Sequence, residues 1–271
     1  LSRCPSFATL FPNRPHCSAM KILFVVTAAE FGGAPQHVLY LIRHFRQNGC
    51  QVGIVAAPEP RLMREASALG AHVFPNRYFV RPIQLHNDIR ALGPVFRAIR
   101  QFQPDLVSAH STKAGYAARL LCALLGVKPV LFTAHGWAFT AGRGDRARKR
   151  LALAERLAAQ VTSKIICVSE HDRELALRFQ VGKPEQLVTV HNGMDPSPLL
   201  AARGHRIRSE LGLGRTPVIT FVGRLAPPKD PLALLQACQM LPGNFRVLLV
   251  GEGELRNSVR EYVQRSGLAS K

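Results

Sequence analysis

The sequence predicts an α/β protein built on parallel sheets and arranged in two successive parts. Three observations carry this. Short apolar runs alternate with longer segments of helical periodicity, as strand–helix–strand units require. The first such run, Lys21-Ile-Leu-Phe-Val-Val-Thr27, reads as a buried strand. The alternation then lapses over residues 192–208, where Gly193, Pro196, Pro198 and Gly204 punctuate the chain, and resumes beyond it.

In order, the first part gives a strand at Lys21–Thr27 and a helix at Pro35–Asn48. Pro35 suits a first helical turn, and Asn48-Gly49 suits its close. Strands are expected at Gln51–Ala56, His72–Phe74, Leu106–Ala109, Val130–Thr133, Ile165–Val168 and Leu187–Val190. Helices are expected at Arg61–Leu69, Asn87–Gln101, Lys113–Leu125, Arg146–Gln160 and Glu170–Phe179. The second part reads as strand Val218–Val222, helix Pro231–Leu241, strand Phe245–Val250 and helix Glu254–Ser266. Two strand–helix units bury little surface for a domain. The expected division is therefore an unstructured leader over 1–19, a first domain over 20–195, a linker over 196–216 and an incomplete second domain over 217–271, with the chain a fragment. Met20 is the expected true start.

The 271 residues are 47% apolar and 20% charged, which fits a globular chain. No run reaches the ~18 apolar residues of a membrane-spanning helix. Net charge is +19, and of 36 Lys and Arg residues only eight are Lys. Such charge favours anionic contacts: a phospholipid surface, a nucleic acid or a phosphorylated substrate. It equally describes a basic solvated coat. Six cysteines form no C-x-x-C pair, which suits reduced thiols in a cytoplasmic protein better than a disulfide frame or a zinc site.

Four segments could carry chemistry. In Glu30-Phe-Gly-Gly-Ala-Pro35, Gly32 and Gly33 allow close backbone approach beside a helix N-terminus, where phosphate is favoured. In Gly223-Arg-Leu-Ala-Pro-Pro-Lys-Asp230, Arg224 and Lys229 follow a strand and precede a helix. There they would meet the negative charge of a leaving pyrophosphate. His110 and His135 end two strands on one rim, where an imidazole can hydrogen-bond a sugar hydroxyl. Val250-Gly-Glu-Gly-Glu-Leu255 offers Gly251 and Gly253 to a nucleotide. Each has an ordinary counterpart: a tight turn, an exposed basic loop, a satisfied structural histidine or a helix cap. Walker-type phosphate loops, G-x-S-x-G elbows and Asp-x-Asp metal cradles do not occur.

Taken in chain order, Phe31-Gly-Gly-Ala34, His110-Ser-Thr-Lys-Ala-Gly-Tyr-Ala-Ala-Arg119, Thr133-Ala-His-Gly136, Val168-Ser-Glu170, His191-Asn-Gly-Met-Asp195, Gly223–Pro231 and Val250–Arg256 resemble glycosyltransferase family 4. The likeness runs from about Met20 to Lys271. It implies a GT-B fold of two Rossmann-like domains, with acceptor on the first and sugar nucleotide on the second, and metal-free transfer with retention. It implies Arg224 and Lys229 on the donor diphosphate and His135 at the sugar. Gly32, Gly33, Gly223, Gly251 and Gly253 would lie along the donor, and His110 and Lys113 on the acceptor side. No cofactor is expected beyond a UDP- or GDP-sugar donor. Family members carry a glutamate pair seven residues apart later in the second domain; the sequence ends before it, so residues 1–271 are expected to show no transfer.

The Ser-Thr-Lys-Ala-Gly and Gly-Arg-Leu-Ala-Pro-Pro-Lys-Asp-Pro variants resemble bacterial enzymes that build polysaccharide on polyprenyl-diphosphate lipid. A peripheral position on an anionic membrane is expected on that basis. Ile89, Leu92, Phe96 and Ile99 would form one helical face beside Arg90, Arg97 and Arg100. A second cluster is Arg143, Arg146, Arg148, Lys149 and Arg150. Rival readings are an NDP-sugar epimerase of the same fold, a non-catalytic remnant, and a nucleic-acid binder. Nucleic acid is not an expected partner, since aromatics are only 7% and do not interleave with the basic residues.

Overall fold

A computed structural model describes residues 20–80, 84–140, 144–202 and 204–271. The expected leader and Arg143 lie outside them. Contacts divide the chain into two compact units, meeting at Met194 and Asp195.

The first unit holds seven strands: β1 (Lys21–Val26), β2 (Gln51–Ala56), β3 (His72–Pro75), β4 (Leu106–His110), β5 (Val130–Ala134), β6 (Lys164–Cys167) and β7 (Leu187–Thr189). All pair in parallel, in the order β3-β2-β1-β4-β5-β6-β7. Helices α1 (Gly33–Gln47), α2 (Pro60–Ala68), α3 (Leu85–Arg90), α4 (Leu92–Phe102), α5 (Thr112–Leu125), α6 (Asp145–Ala159) and α7 (Glu170–Arg178) make the crossovers. Strand β1 explains its own unbroken apolar run. Ile22, Phe24 and Val26 face the side closed by Val38, Leu39 and Ile42 of α1; Leu23 and Val25 face the side closed by Val95 and Ile99 of α4 and Ala118 and Leu121 of α5. Strand order reverses between β1 and β4, which opens a crevice at their carboxyl ends.

The helix expected over Asn87–Gln101 is two helices that meet at Ala91. Pro94 has no N–H to give the Arg90 carbonyl, so the ladder breaks there. The expected single apolar face is not formed. Val95, Ala98, Ile99 and Phe102 are buried, whereas Ile89 is 59% and Phe96 42% exposed.

Helices α5 and α6 are joined by a buried ion pair. Arg119 Nη2 donates to Glu155 Oε2 at 2.9 Å, and Arg119 Nε donates to the Gly115 carbonyl at 3.0 Å. The guanidinium also lies 4.1 Å from the Phe132 ring centroid. Gly115 is required here, because a Cβ would run into the Phe132 ring.

The second unit begins with two short helices, α8 (Ser197–Ala201) and α9 (His205–Glu210), in the stretch expected as linker. Parallel strands β8 (Val218–Val222) and β9 (Arg246–Val250) follow, with α10 (Pro231–Met240) and α11 (Arg256–Arg265). Leu235, Cys238, Phe245, Val259 and Leu268 form its core, and no residue of β8 or β9 is fully buried. Cys50, Cys122, Cys167 and Cys238 are all buried. Burial pushes Cys122 and Cys167 up to about 12, so both stay protonated.

Candidate active site

In the first unit the crevice at the β1/β4 reversal is built from chain ends. Thr27, just past β1, and Ser111, just past β4, share a side-chain hydrogen bond of 2.8 Å, and Ser111 Oγ accepts from the Thr27 N–H at 3.1 Å. Ser111 holds a left-handed backbone (φ 70), and the Thr27 bonds keep it there. Helix α1, which follows β1, starts at Gly33, and among the described residues no side chain caps its N-terminus. A Cβ on Gly32 or Gly33 would meet nothing within 4 Å among the described residues. The two glycines therefore leave open space in front of a helix start, where an anion is favoured.

His110 ends β4 and His135 follows β5, so the parallel pairing of these strands brings the two rings together. His110 Nδ1 and His135 Nε2 are 3.1 Å apart, and His110 Nε2 lies 3.1 Å from Ser108 Oγ. His37 of α1 packs on both, 5.7 Å from the His110 ring and 5.3 Å from that of His135. Burial, then the neighbouring His135 and His37, hold the His110 imidazole well below its usual value. Burial, then His37, bring His135 down to about 4, and burial lowers His37. All three are neutral at pH 7, and each can both donate and accept.

His110 has no exposed surface, and both ring nitrogens already face protein partners. It positions His135 and has nothing to offer an acceptor directly, which departs from its expected place on the acceptor side. His135 keeps a partly exposed surface and is followed by Gly136 in a left-handed conformation (φ 101). Lys113, in the first turn of α5, pairs with Asp88 of α3 at 2.7 Å. The pair stands in the wall of a cavity of about 380 Å³, otherwise lined mainly by Phe79, Leu92, Leu120 and Leu151.

In the second unit, the two glycine loops come together at the carboxyl ends of β8 and β9. Gly223 N–H donates to the Val250 carbonyl (3.0 Å), Leu225 N–H to the Glu252 carbonyl (2.9 Å) and Leu255 N–H to the Leu225 carbonyl (2.9 Å). Gly251 sits at φ 149, and a Cβ there would strike the Gly223 carbonyl. Arg224 is half-buried and Lys229 exposed, and among the described residues no carboxylate pairs with either. One expectation changes in detail. The N-terminus of α10 is capped by Asp230, whose Oδ1 accepts from Ala233 N–H at 3.1 Å. An anion would therefore meet Arg224, Lys229 and the loop amides rather than that helix end.

Sequence patterns single out the glycines, Arg224, Lys229 and the two strand-end histidines. They miss His37, although its place one turn past Gly33 sets it on the same rim. They also miss Asp88, which meets Lys113 only through the packing of α3 against the unit.

The sequence model of Glycosyltransferase Family 4 matches residues 31–198, more than half of the chain. The chain belongs to glycosyltransferase family 4. It is 30% identical over 192 residues to the UDP-Gal:alpha-D-GlcNAc-diphosphoundecaprenol alpha-1,3-galactosyltransferase of Escherichia coli, covering 68% of this chain and 50% of that one. The chain thus spans about half the length of that relative. In fold it is similar to the Anabaena HepE protein in complex with UDP and glucose, with a TM-score of 0.75 at 20% identity, covering 92% of this chain and 67% of that one. Similarity to the UDP-GlcNAc 2-epimerase of Neisseria meningitidis is weaker: a TM-score of 0.59 at 16% identity, over 91% and 69% of the two chains. The chain thus has an α/β architecture of the GT-B type.

Proposed function

We propose that the whole protein moves a sugar from a nucleoside-diphosphate sugar, UDP- or GDP-linked, to a glycan or polyprenyl-diphosphate-linked acceptor, with retention at the anomeric carbon. The observation that carries this is the joined pair of loops at the ends of β8 and β9, with Arg224 and Lys229 free of carboxylate partners among the described residues. As the bond from sugar to diphosphate breaks, negative charge grows on the departing phosphate. Two cations and the loop amides oppose that charge without a metal. His135, neutral and held by His110, serves a sugar hydroxyl as donor or acceptor. Lys113 and its apolar cavity serve the acceptor side, the apolar walls suiting a lipid-linked substrate.

A peripheral position on an anionic membrane forms part of this reading. Among the described residues no helix is long and apolar enough to cross a membrane. Exposed Leu85, Ile89 and Phe96 lie among Arg90, Arg97 and Arg100 on α3 and α4. Apolar side chains standing in water beside cations fit an interfacial surface. The test of function is product analysis of the full-length natural protein with a panel of UDP- and GDP-sugars and a polyprenyl-diphosphate sugar acceptor. Extension of the acceptor by one sugar supports transfer. An isomerised nucleotide sugar with the acceptor unchanged supports an epimerase instead.

A further inference from the structure

We infer that His37, His110 and His135 form a binding site for one divalent transition-metal ion of the zinc class, on the carboxyl rim of the first unit's sheet. Each residue offers one ring nitrogen, and the three nitrogens lie within 4.8 Å of one another. The His110–His135 nitrogens are 3.1 Å apart. Nitrogens bound at the usual 2.0–2.1 Å in a tetrahedral site stand about 3.3–3.4 Å apart, so this pair already has the spacing of two ligands. His37 is half-buried on the opening turns of α1, and its ring already packs on those of His110 and His135.

The surroundings suit a metal rather than a cation of the protein's own. No Asp or Glu belongs to the cluster, so nothing within it rewards an imidazolium, and burial keeps the rings neutral with lone pairs available. Ser108 Oγ accepts from His110 Nε2 when His110 binds through Nδ1. That is the outer hydrogen bond by which metal-bound histidines are normally oriented. Three imidazoles from α1, β4 and the turn after β5 leave a fourth position for water or a substrate oxygen, since His37 and His135 are partly exposed. Imidazole ligands without carboxylates select zinc, copper or nickel over magnesium or calcium.

The site goes beyond the donor reading, which places no metal on the diphosphate. It makes a separate prediction: an ion here ties up His135 and withdraws it from the sugar. The test is titration of the chain with Zn²⁺ against a chromophoric chelator, with Co²⁺ as a spectroscopic substitute. We expect one ion per chain, visible absorption of four-coordinate Co²⁺, and a Zn²⁺-dependent rise in the melting temperature. His37→Gln and His135→Gln should each weaken binding at least tenfold. His44→Gln, on an exposed position of the same helix, should not. Absence of stoichiometric binding, or wild-type affinity in His37→Gln, overturns the site. Neither outcome touches the assignment of sugar transfer, which is read with other reagents.

Discussion

Arg119 and Glu155, thirty-six residues apart in sequence, form an ion pair with each side chain only 1% exposed. It links α5, which follows the His110 strand, to α6, and its guanidinium lies over Phe132 of β5, the strand that His135 follows. A charge buried this deeply is tolerable only while its partner stays. Glu155→Ala should cost about 3–5 kcal/mol in urea unfolding, because it strands a guanidinium in the core. Replacing both residues with apolar side chains of similar volume should cost much less than the single change.

Gly115 lies one turn before Arg119, and a Cβ there would run into the Phe132 ring. Gly115→Ala should lower stability by about 1–3 kcal/mol through overpacking, although alanine is the better helix former. If its melting temperature equals the parent's, the α5–β5 packing described above is wrong.

The histidine trio makes stability depend on pH. His135 is brought down to about 4 in the folded state from an ordinary 6.5, and His110 and His37 move the same way. Between those values the unfolded chain takes up protons that the folded chain refuses. Stability is thus undiminished above pH 6.5 and lost progressively as pH falls toward 4. Denaturant midpoints measured from pH 7.5 to 4.5 should fall across that window. The slope should flatten in His135→Gln.

Binding to anionic vesicles should depend on the exposed face of α3 and α4. Arg90, Arg97 and Arg100 replaced together by serine should reduce sedimentation with phosphatidylglycerol vesicles at least tenfold, at about 1 kcal/mol for each cation. Equal partitioning of the parent protein into anionic and neutral vesicles would remove the membrane part of the proposal.

The parallel α/β architecture was legible because β1 is apolar on both faces, and each crossover helix carries its own stops, such as Asn48-Gly49 after α1. The break at Ala91 was missed because helical periodicity runs on past Pro94, and only the lost N–H reveals the interruption. Glycine loops and strand-end residues could be read because parallel sheets place them on one rim. His37 had its place one turn past Gly33 as a signal, but its contact with His110, like that of Asp88 with Lys113, depends on how the helices pack and is not written in the local pattern. The joining of the two second-unit loops was likewise invisible. It rests on backbone hydrogen bonds, which carry no residue signature.

The most direct test of the central assignment is titration of the full-length natural protein with UDP and GDP, followed by calorimetry, beside Arg224→Ala and Lys229→Ala. Loss of the charge-assisted bonds to the diphosphate should weaken the preferred nucleotide by roughly tenfold or more in each variant, at about 1.5–3 kcal/mol per bond. The fold should stay intact, since neither side chain pairs with a carboxylate among the described residues. Affinity unchanged in both variants would contradict the account.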